Sequence, residues 1–300
     1  MPIERPRLDE NSDEPVKSAS VSWFPPHMYR AHKRLAHEIK HIDVVLEMRD
    51  ARLPEASGNP ELERLIDNRR RLLLFNKAAL ADPAQNRRWQ DHYRAQGRPA
   101  LFLDAQSGKG LNLIYPLIRE LVAPTQETLI KRGIRPPMQR LMVIGMPNIG
   151  KSTLINRMAG GKKLKTAPEP GVTKGVSWVQ LKGKFLLMDT PGVMLPKLED
   201  MDTALRLGWI GTIRDKIIGP PRLAVPLLQT LAGTQPEQLA GHYGIAIIRG
   251  GDGGALLEAI AARRGMLLRG GTADLFRAAE LVLADFRAGL LGRITLQPAP

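Results

Sequence analysis

Apolar residues fall into two patterns along this chain. In the first two thirds they form short, largely apolar runs: Ile42–Leu46, Leu72–Phe75, Ala100–Leu103, Leu141–Ile144, Trp178–Leu181 and Phe185–Met188. Runs this short, bounded by turn residues, read as strands buried on both faces. Stretches with helical spacing separate them, around Pro60–Asn68, Pro83–Arg94 and Leu111–Leu121. The alternation predicts an α/β domain, a mostly parallel sheet with helices on both faces. Upstream, Met28, Ala31, Leu35 and Ile39 share one face of a predicted basic amphipathic helix over 28–40. After Pro196 the strand signals fade. Helical patterns over 201–218 and 272–286 predict a small all-helical domain. The stretch 124–138, with prolines at both ends, reads as a linker. Residues 1–20 are polar, with Glu4, Asp9, Glu10, Asp13 and Glu14, and read as a disordered tail. The expected division is a tail at 1–20, an α/β domain at 21–198 and a helical domain at 199–300.

Charge narrows the choice of partners. The net charge is +14, and residues 131–200 carry 13 basic side chains against 4 acidic ones. Such a field draws polyanions and makes their binding salt-dependent. Aromatic residues are only 5%, which disfavours stacking on single strands and favours structured RNA read through backbone and shape. No DNA partner is expected. The chain has no cysteine, which excludes disulfides, thiolate zinc sites and iron–sulfur clusters. The acidic start lacks the apolar stretch of a secretory signal. No apolar run reaches 18 residues, so no membrane span is expected. A cytoplasmic protein fits.

The segment Gly145-Met146-Pro147-Asn148-Ile149-Gly150-Lys151-Ser152 matches G-x-x-x-x-G-K-S in full, between an apolar strand and a helical pattern beginning STLIN. Glycines let the backbone N–H groups of Asn148, Ile149, Gly150, Lys151, Ser152 and Thr153 wrap phosphates at a helix N-terminus. Lys151 would neutralise the β- and γ-phosphates, and the Ser152 hydroxyl would ligate magnesium. Asp189-Thr190-Pro191-Gly192 follows a second strand. Asp189 would hold the magnesium through water, and the Gly192 N–H would meet the γ-phosphate. Between them, Thr173 offers a second magnesium hydroxyl. Val193 stands where a water-orienting glutamine is expected, so the intrinsic rate should be low and an activating partner needed.

The base reader comes earlier in the chain than the phosphate loop. Asn76-Lys77 ends a buried strand, as the guanine-reading loop of a GTPase does, and Asp104-Ala105-Gln106 within 104–108 supplies a second base loop. Base loops before P-loop, Thr173 and DTPG make a circularly permuted GTPase domain: the same sheet with displaced chain ends. The base loop is altered. An acid is expected two residues after the lysine, and this chain has Ala79. A methyl group cannot accept from the guanine N1–H and amino group. Asp82, just before Pro83, reads instead as a helix N-cap.

These motifs together resemble the ribosome biogenesis GTPase A (RbgA/YlqF) family. The matching stretches are WFPPHMYRA at 23–31, DARLPEASGNP at 50–60, NK at 76–77, GMPNIGKSTLIN at 145–156, PGVTKG at 170–175 and DTPGVMLPK at 189–197. The resemblance implies GTP/GDP binding and a late step in assembling the large ribosomal subunit. The implied partners are the subunit precursor and its rRNA, with hydrolysis stimulated by the ribosomal particle. It implies a hydrolytic role for His27, preceded here by Pro26 where the family usually has glycine. It also implies potassium as a second cation, ligated by Asn148. The competing reading is an RNA-binding scaffold that keeps the fold but is non-hydrolysing or weakly guanine-selective; Ala79, Val193 and Pro26 favour it.

Overall fold

Six apolar runs become six strands of one sheet in the computed structural model, which describes residues 21–22, 37–66, 69–160, 178–188, 197–198, 200–246 and 250–300. A short antiparallel pair, β1 (Val21–Ser22) and β8 (Lys197–Leu198), stands apart. The sheet contains β2 (Val44–Asp50), β3 (Arg70–Asn76), β4 (Ala100–Phe102), β5 (Gln139–Gly145), β6 (Trp178–Leu181) and β7 (Phe185–Met188), in the spatial order β4-β3-β2-β5-β7-β6. All neighbours are parallel except the β6–β7 hairpin.

Period-two alternation sends side chains to two covered faces. Val44, Leu46, Leu72, Leu74, Leu141 and Val143 meet Ile114, Ile118, Val122, Leu154 and Ile155 from α3 (Ile114–Lys131) and α4 (Lys151–Met158). On the opposite face, Val45, Met142 and Ile144 meet Leu62 and Ile66 of α1 (Pro60–Ile66). Beside them, Leu73 and Phe75 meet Trp89 and Tyr93 of α2 (Pro83–Ala95).

Two sequence expectations change. Strand β2 runs to Asp50, beyond its apolar core, because its charges are satisfied within the sheet: Arg49 Nε donates to Glu47 Oε1 at 2.7 Å, and Arg71 donates to Glu47 Oε2 at 3.1 Å. The expected linker at 124–138 is corrected: α3 continues through Pro124 to Lys131. Pro124 is exposed and costs that helix one hydrogen bond without opening its buried stripe. The helix ends at Gly133, whose φ of 72° lets Ile134 N–H reach back to the Leu129 carbonyl at 2.9 Å. Of the helix expected over 28–40, residues 28–36 lie outside the described residues; Ile39–His41 form a 3₁₀ turn. The tail at 1–20 also lies outside them.

The C-terminal third holds α5 (Met201–Trp209), α6 (Asp215–Ile218), α7 (Pro220–Thr234), α8 (Pro236–Tyr243), α9 (Gly253–Arg263) and α10 (Leu275–Ala288). Asp200, Asp252 and Asp274 cap α5, α9 and α10 through backbone N–H groups. Leu223, Leu227, Leu228 and Leu231 of α7 pack with Leu257, Ile260, Val282 and Phe286 in a cluster continuous with the α3 side of the sheet. Helix α9 crosses α7 so closely that a Cβ on Gly253 would lie 2.1 Å from the Val225 carbonyl oxygen. Gly253→Ala must therefore push the helices apart. Its expected cost is about 1–3 kcal/mol, read as a lower urea midpoint; an unchanged midpoint would contradict this packing.

Candidate nucleotide site

Parallel strands deliver their following loops to one edge of the sheet. Asp50 pairs in register with Asn76, and Met48 with Gly145, so the loops after β2, β3 and β5 leave together. That edge, outside the carboxyl ends of the strands, is where open α/β sheets bind ligands.

The phosphate-loop candidate is built by tight approach. Gly145 has φ 148°, and a Cβ there would lie 2.5 Å from the Met48 carbonyl oxygen. Asn148 at φ 59° and Gly150 at φ 99° take the left-handed region before α4 begins at Lys151. The Lys151 ammonium lies within the loop, donating to the carbonyls of Gly145 at 3.0 Å and Met146 at 2.6 Å. Ser152 and Thr153 are exposed on the first turn, where backbone N–H groups lack intrahelical partners.

Asn76 ties this loop to both base-loop candidates. Its side chain is buried. Nδ2 donates to the Ile149 carbonyl at 2.7 Å, and Oδ1 accepts from Ala105 N–H at 2.9 Å. A Cβ on Gly150 would lie 2.3 Å from that Nδ2. Lys77, at φ 60°, places Nζ 3.2 Å from the Asn148 carbonyl and 3.0 Å from Asp50 Oδ2. Asp104 shapes the second loop, accepting from Ser107 N–H at 2.7 Å through Oδ1. The Gln106 carbonyl accepts from Arg157 on α4. Thus Asn76, Lys77, Asp104, Ala105, Gln106 and the run Asn148–Thr153 come together. His27, Thr173, Asp189 and Gly192 lie outside the described residues, as do Pro26 and Val193.

Ala79 is exposed and brings no acceptor. Asp82 does not replace it: its Oδ1 caps α2, accepting from Ala84 N–H at 2.6 Å and Gln85 N–H at 3.4 Å. Asn148 Nδ2 donates to the Gly211 carbonyl at 2.9 Å, joining the phosphate loop to the helical third.

Sequence reasoning gave no role to Asp50 and Arg52. Asp50 is fully buried and accepts from Arg52 N–H at 3.1 Å, Nε at 2.9 Å and Nη2 at 2.9 Å, besides Lys77. Burial alone would raise its pKa. The charges of Arg52 and Lys77, with the Arg52 hydrogen bonds, overcome this and hold the carboxyl far below the ordinary carboxylate range. The available signal was an Asp-x-Arg pair closing an apolar strand.

The family model described as "50S ribosome-binding GTPase" matches residues 140–216. Ribosome biogenesis GTPase A of Priestia megaterium is 40% identical over 92% of this chain and 96% of that protein. The chain belongs to the ribosome biogenesis GTPase A family. Ribosome biogenesis GTPase A of Bacillus pumilus is 37% identical over 93% of this chain and 98% of its own length. GNP-bound YlqF from T. maritima shares the fold, with a TM-score of 0.62 at 23% identity, covering 90% of this chain and 98% of that one. As a member of this family the chain is a GTP-hydrolysing enzyme of ribosome assembly on a circularly permuted P-loop fold.

The Asp50 cluster makes a signed prediction. A depressed folded-state pKa stabilises above the unfolded value of 3.8 and is lost as pH falls below it toward the folded value. Asp50→Asn should therefore lower neutral-pH stability by about 3–5 kcal/mol, as breaking a buried pair does. The gap to wild type in urea titrations should stay flat at neutral pH and shrink in acid below 3.8. A gap that widens in acid would rule this out.

Proposed function

We infer that GTP binds across this edge with its phosphates on 145–152 and its base between 76–79 and 104–108. The observation that carries the reading is the Asn76 side chain, bonded at once to the Ile149 carbonyl and the Ala105 N–H. It joins both base loops to the phosphate loop across long stretches of chain. Lys151 would turn from the loop carbonyls to the β- and γ-phosphates, exchanging neutral acceptors for charged ones. The Asn148–Thr153 backbone N–H groups would surround the same oxygens.

Magnesium fits this arrangement. The exposed Ser152 hydroxyl beside Lys151 suits a cation that keeps waters and phosphate ligands around few protein groups. Asp189 and Thr173 would complete the set, and the bound ion would neutralise charge on the phosphate oxygens. For potassium, Asn148 divides its amide between tasks: Nδ2 is engaged by Gly211, which leaves Oδ1 for a cation. Gly192 would meet the γ-phosphate. His27 would orient water in place of the glutamine absent at Val193.

The biological reading is a late step of large-subunit assembly. The family assignment and the basic region support it. On the helical third, Arg263, Arg269 and Arg277 are exposed around a tip carrying Leu267, Leu268 and Phe276, a surface suited to ribosomal RNA phosphate and adjoining protein. Arg287 is not available to it. That guanidinium donates to Asp215 and to the carbonyls of Gly208 and Trp209. No helix among the described residues is long and apolar enough to cross a membrane.

Two measurements test this reading. GTP turnover by the purified chain should be slow, with large ribosomal subunits raising it and small subunits leaving it unchanged; turnover indifferent to large subunits would defeat the reading. Second, Ala79 favours weak guanine selectivity, since Asp82 is committed to α2. Restoring the acid in Ala79→Asp should raise the preference for GTP over ATP by a factor on the order of 10²–10⁴, measured by competition for a fluorescent nucleotide. An unchanged ratio would show that position 79 does not face the base.

A further inference from the structure

The last turn of the fold passes behind the base-reading loop. Helix α10 ends at Gly289, φ 79°, where a Cβ would lie 2.6 Å from Leu80 Cδ2. Leu291 and Ile294 are buried. The segment that follows hydrogen-bonds to the stretch just after Lys77 and to the turn after β2. Ile294 N–H donates to the Leu80 carbonyl at 2.9 Å, and Asp82 N–H donates to Thr295 Oγ1 at 3.1 Å. Leu296 N–H donates to the Arg52 carbonyl at 2.9 Å. Gln297 Oε1 accepts from Glu55 and Ala56 N–H at 3.0 and 3.1 Å, and its carbonyl accepts from Trp89 Nε1 at 2.9 Å. Ala299 N–H donates to Gln85 Oε1 at 2.9 Å.

We propose that residues 290–299 are a positioning strap for the nucleotide base: they hold the loop after Asn76-Lys77 and the Asp50–Arg52 turn in register, and so set how long nucleotide stays bound. Among the described residues, no hydrogen bond of the strap reaches the glycine-rich loop at 145–152. The strap grips Leu80 and Asp82 on one side of the loop and Arg52 on the other, and Arg52 in turn holds the Asp50 carboxylate that pairs with Lys77. Without the usual acid at position 79, more of the base grip falls on backbone placement. The strap supplies that placement from the helical third. This rests on the reading of 76–79 as the base loop.

The test uses full-length protein and the release of a fluorescent GDP analogue. Thr295→Val removes only the acceptor for Asp82 N–H; Gln297→Ala removes the bonds to Glu55 and Ala56. The double variant should release GDP about three- to tenfold faster, with about one net hydrogen bond's worth of the several bonds removed transmitted to the nucleotide. Its KM for GTP should rise with kcat at the wild-type value, and Glu258→Gln, exposed on α9 and outside the strap, should behave as wild type. If the double variant melts early, Thr295→Val alone carries the comparison. Wild-type release from the folded variants, or a fall in kcat with release unchanged, overturns the proposal. Asn76→Ala, run in parallel, separates the two claims: if it too leaves release unchanged, the base-loop reading fails; if it speeds release and the strap variants do not, only the strap fails.

Discussion

Both ends of one buried amide decide how the loops of this protein meet. Asn76 donates to the Ile149 carbonyl of the glycine-rich loop and accepts from Ala105 N–H of the loop after β4. A buried polar group left without partners costs about 1–3 kcal/mol, so these loops are held to positions that satisfy it. Other local features follow. Gly150 must lack a side chain because Nδ2 occupies that space. Lys77 accepts a left-handed backbone, which turns its ammonium toward Asp50 and Asn148 rather than along the strand. Asp50 anchors that ammonium, and Arg52 keeps the carboxylate charged despite complete burial.

The permuted chain order is compatible with this constraint because the sheet, not the sequence, sets the meeting point. Strands β2, β3 and β5 run parallel and release their loops on the same edge whichever comes first. Permutation does impose one crossover, from the edge strand β4 to β5 beyond β3 and β2. A parallel return needs a dozen or more residues, usually helical. Helix α3 is that return, and Ile114, Ile118 and Val122 hold it to the sheet. The prolines near its end obscured this demand in the sequence. Pro124 lies on the solvent side, where its missing N–H is tolerated.

Legibility followed the range of the interaction. Strands with apolar cores, the glycine-rich loop and the Asp82 cap were readable because each is set by neighbours within a few residues. The Glu47–Arg49 pair ended the strand reading at Leu46, since charges in a buried strand look wrong until Arg71 and Glu63 are seen beside them. Asp50 carried no visible role because Lys77 is a partner only after β2 and β3 pair. Thr295 and Gln297 gave no signal: their partners lie more than 200 residues away. For His27, Thr173, Asp189 and Gly192 the sequence pattern remains the basis of assignment.

The helical third thus touches the carboxyl edge of the sheet at two separate points. Asn148 reaches Gly211 from the glycine-rich loop, and the 294–299 segment reaches the loop after Asn76-Lys77 from behind. Between them, Arg287 binds the C-terminal end of α5 to α6, while Arg52 lies over the Phe286 ring. A shift of α10 would be felt at Arg52, and through Asp50 at Lys77. A shift of the Gly211 turn would be felt at Asn148, whose carbonyl Lys77 also contacts. Both routes converge on the same ammonium. A partner bound to the helices would therefore act on the glycine-rich loop and the loop after Asn76 together, and a ligand at those loops would act on the helices by the reverse path, since coupling between two binding sites is reciprocal.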